Sequence, residues 1–205
     1  MNFQDIKIRA QKDFLWDDNT ATNDKLNRTI NEGLRRFVRE TLCLHDVSTL
    51  MTVAGTAAYS LPADSLNPPY VHQVIWDKYV LYPMSYLETR DLKSYLHTSG
   101  SPTSFYFNNG QICLYPVPDS AKELKIVYYK KPAELSADDD VPEIPEEFHE
   151  ALANYAAYQI MRSDRGALTE TMTAADFHER EFNEAVRRCR AAMWHNQNDI
   201  LDVIG

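Results

Sequence analysis

Glu146 and His149 stand at the spacing with which di-iron helical bundles present a ligand pair from one helix. That chemistry needs a second such pair and two more inward glutamates, and no other Glu-x-x-His occurs in the chain. Glu146 is therefore read as a negative charge at the positive end of a helix dipole, and a metal-dependent helical-bundle enzyme is carried only as a rival class. His178 with Glu179 or Glu181 reads equally well as part of a solvated face. His45, His72, His97 and His195 lack a mutual ligand spacing such as His-Glu-x-x-His. The triplet Asp138-Asp139-Asp140 reads as a solvated loop, because the spaced ligands and the glycine of a calcium loop are missing.

Nucleophile and phosphate chemistry find no foothold either. There is no Gly-x-Ser-x-Gly, and Ser99-Gly100-Ser101-Pro102 has the composition of a turn. Six glycines occur, none in a Gly-x-x-x-x-Gly-Lys or dinucleotide fingerprint. Phe105-Tyr106-Phe107 and Tyr128-Tyr129-Lys130-Lys131 raise the possibility of base stacking on a basic sheet. Aromatics at alternate strand positions more often pack a core, and two lysines are a weak electrostatic footprint, so the core reading is preferred. No catalytic residue, cofactor or metal is expected.

Composition narrows the class further. Hydrophobic residues make up 44% and charged residues 25% of 205, the balance of a globular protein rather than a disordered one. No apolar run reaches the ~18 residues of a membrane span, and the first residues lack the basic and apolar regions of a signal peptide, so a cytoplasmic origin is expected. Cys43, Cys113 and Cys189 lie far apart and are read as reduced and packed. A net charge of −9 disfavours tight binding of phosphate backbones by the surface as a whole.

Periodicity supplies the elements. Leu26, Ile30, Leu34, Phe37, Val38 and Leu42 recur at helical spacing over 22–42, with Thr22 or Asn23 as N-cap, and a shorter helix using Phe3, Ile6, Ala10 and Phe14 precedes it. Asp17-Asp18-Asn19 separates the two. Strands are expected at 48–53, 57–61, 70–76, 79–82, 104–107, 111–115 and 123–130, with a short helix at about 85–96. Asn109-Gly110 is the best hairpin turn, because both residues tolerate positive φ, and Asp77-Lys78 is a weaker one. A helix entered through Pro145 buries Phe148, Leu152, Tyr155, Ala156 and Ile160. Arg165-Gly166 turns the chain into a last helix over about 169–195, using Met172, Ala175, Phe182, Val186, Cys189 and Met193. The expected fold is α+β: a helical bundle from both termini (1–46 and 145–205) with a β-rich insertion (47–144) in the middle.

Two blocks carry a family resemblance. One is Gly55-Thr56-Ala57-Ala58-Tyr59-Ser60-Leu61-Pro62-Ala63-Asp64. The other runs from Gly100 to Met161: the hairpin about Asn109-Gly110, the strand Leu124 to Tyr129, Pro132, and the helix opened by Ile144-Pro145-Glu146-Glu147-Phe148-His149. In this order they resemble the head-to-tail adaptor proteins of tailed bacteriophages, among them the tail tubular protein A group of short-tailed phages. The resemblance implies a virion structural protein of the neck or tail, assembled in the host cytoplasm. It implies a ring of twelve copies between the portal protein and the tail nozzle or tube proteins, with genomic DNA passing through without specific binding. A tail-tube or nozzle subunit and a head-completion ring are the alternatives within the virion. No membrane partner is implied.

The final segment is the candidate docking arm. After Asn196-Gln197-Asn198, the residues Ile200, Leu201, Val203 and Ile204 are too few to form a core of their own. They either fold back on the helical body or insert against the portal or a neighbouring subunit.

Overall fold

The computed structural model describes residues 1–14, 23–66, 70–85, 98–163 and 169–201, with side chains in the last stretch described over 171–193. The chain divides into two compact units, His45–Lys130 and Met1–Leu44 joined with Lys131–Gly205.

The first of these units is built from β1 (His45–Met51), β2 (Ala58–Ser60), β3 (Val71–Trp76), β4 (Tyr79–Pro83), β5 (Ser99–Gly100), β6 (Ser104–Asn108), β7 (Gln111–Tyr115), β8 (Val117–Pro118) and β9 (Glu123–Tyr129). Seven of them form one curled mixed sheet in the order β1, β9, β3, β4, β6, β7, β2. Neighbours are antiparallel except at one seam, where Tyr82 and Pro83 of β4 pair in parallel with Ser104 and Phe105 of β6. The two-residue period of strands is clearest in β9, where Leu124, Ile126 and Tyr128 are buried and the residues between them are not. These three join Val74, Trp76, Leu81, Phe105, Ile112 and Leu114 in one core. Full burial of each large side chain stabilises by roughly 1.5–3 kcal/mol.

A polar node lies within this unit. Thr52 is buried, and its hydroxyl donates to the Lys122 carbonyl (2.9 Å) while accepting from the Lys122 N–H (3.0 Å) and from Trp76 Nε1–H (3.2 Å).

The second unit contains α1 (Phe3–Ile8), α2 (Asn23–Thr41), α3 (His149–Ser163) and α4 (Thr169–Leu201). Asn2 and Asp5 close a reciprocal capping box on α1, which runs on into a π-helical turn at Arg9–Phe14. A 3₁₀ turn at Glu146–Phe148 leads into α3. Asn31 on α2 secures the segment after Lys131, its amide donating to the Leu135 carbonyl (2.9 Å) and accepting from the Leu135 N–H (2.8 Å).

The expected helical bundle from both termini is overturned. Among the described residues the dominant element is the curled seven-stranded mixed sheet, accompanied by four α-helices. The physical reason is visible in the helices themselves. A bundle asks each helix for one apolar stripe, but α3 is buried at eleven of its fifteen positions and so forms the centre of its unit. α1 has only six residues before it passes into the π-helical turn, so the first segment is not a full α-helical stave. The short helix expected at about 85–96 lies, apart from Ser85, outside the described residues, as do Asp17-Asp18-Asn19 and Arg165-Gly166.

Candidate functional site

The Glu146–His149 pair is engaged in structure rather than poised for metal. His149 is buried, with Nε2–H donating to the Ile144 carbonyl (2.9 Å) and Nδ1 facing the Met1 amino group (3.1 Å). Neither ring nitrogen has a lone pair to offer a cation. The Glu146 side chain is 87% exposed and lies 3.6 Å from the same amino group. Among the described residues no group of three or more His, Cys, Asp or Glu is placed to hold a metal ion. Asp140 accepts from the Ser136 and Ala137 N–H groups, which lower its carboxyl pKa, and Asp138 pairs with Lys7. The acidic triplet thus holds a loop together.

The block from Gly55 to Asp64 is a set of fastenings. Gly55 has φ +81°, in the left-handed region that a side chain resists. The Tyr59 hydroxyl donates to the Thr56 carbonyl (2.8 Å) and accepts from the Val53 N–H (3.1 Å), closing the loop over itself. Asp64 accepts from the Tyr128 hydroxyl (2.9 Å), and burial together with that carboxylate pushes the Tyr128 phenol up to about 12. Asn109 (φ 49°) and Gly110 (φ 75°) form the two-residue turn between Asn108 and Gln111, the last paired residues of β6 and β7. Phe105, Ile112 and Leu114 of that hairpin are buried, with Phe107 packed against them. Such aromatics pack the core and leave few faces for a base. Among the described residues the most exposed tyrosines are Tyr79 and Tyr82 on β4.

A concavity lies in the helical unit. A cleft of about 280 Å³ has Phe148 of the 3₁₀ turn, Ala151 of α3 and Ala185 of α4 in its lining, with Phe14 and the half-exposed Phe177. Charge surrounds this apolar lining. Arg9 is held by Asp13 (2.7 Å) and by Glu150 (2.6 and 3.0 Å), while Glu147, Glu181 and Arg188 complete the rim. Next to the cleft residue Asn154 is His178, which is buried and not part of a solvated face. Asn154 Nδ2 donates to the Glu150 carbonyl (3.2 Å), so its Oδ1 is the atom facing His178 Nδ1–H (2.7 Å). The imidazole lies against Phe14, centroids 4.6 Å apart, and burial lowers its pKa. This is a neutral, packed histidine with no nucleophile beside it among the described contacts.

Sequence reasoning missed the cleft because its residues come from the first, third and last helical segments. One signal was available: Phe177 falls off the apolar period of the last helix, next to a histidine. Of the proposed arm, Ile200 and Leu201 close the backbone of α4, and their side chains, with Val203 and Ile204, lie outside the described residues. No helix among the described residues is long and apolar enough to cross a membrane.

Compared with known families, the chain matches the family model described as SU10 adaptor protein over residues 1–200. Among curated proteins nothing matches the chain.

Proposed function

The chain belongs to the SU10 adaptor protein family, and from that premise we propose that it assembles as a ring between the portal and the tail of a phage particle, around the path of the DNA. Membership itself supports a structural role as a phage head-to-tail adaptor. The observation that carries the reading is the extent of the match, which runs through both compact units rather than through one.

The physical character of the molecule supports the finer proposal. Its conspicuous polar groups are spent on internal fastening: His149 on Ile144, Asp64 on Tyr128, Thr52 on Lys122 and Trp76. We read the protein as non-enzymatic on that basis. A net charge of −9 suits a passage through which a polyanion slides, since like charge discourages adhesion of phosphates. Portal protein on one side and tail nozzle or tube proteins on the other are the proposed partners, with twelve copies as the proposed count. Ile200, Leu201, Val203 and Ile204 are proposed to gain a partner surface on assembly.

The test is reconstitution of the purified full chain with purified portal protein, followed by native mass spectrometry and electron microscopy. A ring of copies seated on the portal is expected. A chain that neither binds portal nor forms a closed oligomer at any concentration would overturn the reading.

A further inference from the structure

The last helix presents two different rows of side chains to either side of its buried face. Phe177, Glu181, Ala185 and Arg188, at i, i+4, i+8 and i+11, follow the cleft. Arg180, Asn183, Arg187 and Arg190, at i, i+3, i+7 and i+10, form a second row roughly 130° around the helix. All three arginines of that row are exposed, Arg187 sharing its charge with Glu184.

The second row carries three cations, and the cleft lining carries a small surplus of acid, Glu147, Glu150 and Glu181 against Arg9 and Arg188. Arg9 in the cleft is already occupied by Asp13 and Glu150, which leaves Glu147 and Glu181 against one further cation, Arg188, on the rim beside the exposed ring of Phe177. A guanidinium entering there meets carboxylates and an aromatic face together, the combination that favours arginine over lysine. A helix cannot turn its far side into a cleft that it lines itself. The complement can be met only between copies, and because the two surfaces differ the contact is head-to-tail, the kind that closes into rings.

We propose that the Arg180, Arg187 and Arg190 row of one copy docks on the cleft of the next, with guanidinium groups at Glu147 and Glu181 and against Phe177. This rests on the ring reading above and names the surfaces that would join its subunits.

Disulfide trapping tests it. Full-length Glu181→Cys and Arg190→Cys chains are mixed in equal amounts with portal protein and mildly oxidised; the native cysteines are all buried. Mixed covalent dimers are expected in at least tenfold excess over dimers of either variant alone. Separately, Arg187→Glu with Arg190→Glu should reduce oligomer formation at least tenfold in sedimentation, and mixing in chains with Glu147→Arg and Glu181→Arg should restore it. Melting temperatures equal to the parent's show that each variant is folded. Rings seen by electron microscopy without the mixed cross-link, or cross-links between like variants only, would overturn this interface and leave the ring standing. Absence of any oligomer, with or without portal, would remove the ring and the interface together.

Discussion

Gly33 on α2 lies so close to Tyr155 on α3 that a Cβ built on it would come within 2.7 Å of the Tyr155 ring carbon Cδ1. Tyr155 in turn lies 5.0 Å, ring to ring, from Phe182 on α4, with the Arg36 guanidinium over both rings. One absent methyl group therefore sets the approach of α2 to α3.

Gly33→Ala gives a prediction whose sign is informative. In an unconstrained helix the change stabilises by about 1 kcal/mol. Here the Tyr155 ring must move and disturb its packing on Phe182, and overpacking of this kind costs about 1–3 kcal/mol. A lower midpoint in chemical denaturation is expected. A higher midpoint would show that the two helices can separate without loss.

Tyr128 and Asp64 predict a pH dependence. The folded-state phenol titrates above its ordinary value of 10.0, at about 12, so the folded form favours the protonated phenol. That contribution is complete below pH 10 and is lost as pH rises from there through about 12. Tyr128→Phe should be less stable at neutral pH and should show a shallower loss across that window. Parallel stability curves for the two proteins between pH 9 and 12 would contradict the coupling.

The hairpin turn gives a third expectation. At φ 75°, Gly110 occupies backbone space that a β-branched residue reaches only with strain of about 1–2 kcal/mol. Gly110→Val should lower the melting temperature or the soluble yield, whereas Gly110→Asn should be much better tolerated. Equal melting temperatures for parent and valine variant would place the turn elsewhere.

Deleting residues 197–205 tests the proposed arm. The truncated chain should melt close to the parent and should be retained less well on immobilised portal protein. A truncated chain that loses stability but still binds portal normally would assign the arm to its own unit.

The legible parts of this fold were local. Leu26, Ile30, Leu34, Phe37 and Val38 spell one helix face, and each is buried in α2. Leu124, Ile126 and Tyr128 spell a strand face, and Asn109-Gly110 a turn, because both patterns act within a few residues. What escaped was non-local. Nothing in Tyr82 or Ser104 announces that they pair in parallel, and the small residues Ala151, Ala153, Ala156 and Ala157 do not reveal that α3 is enclosed on nearly every side. His149 showed a metal-like spacing, but the groups that use up its nitrogens are Ile144 and Met1, the latter 148 positions away. The cleft was hidden for the same reason, since Arg9, Glu147 and Phe177 meet only after folding.

The pairing of β1 with β9 sets His45 opposite Tyr129 at the two ends of the sheet unit. Chain leaving the helical unit and chain returning to it therefore pass side by side, about 5 Å apart. To the helical unit, the 86 residues from His45 to Lys130 are topologically no more than a tight loop. The sheet can thus be lengthened, trimmed or exchanged for another domain with closely spaced ends while the helices keep their register. Such a graft site gives an engineer a cassette and gives evolution a place to vary one unit without redesigning the other.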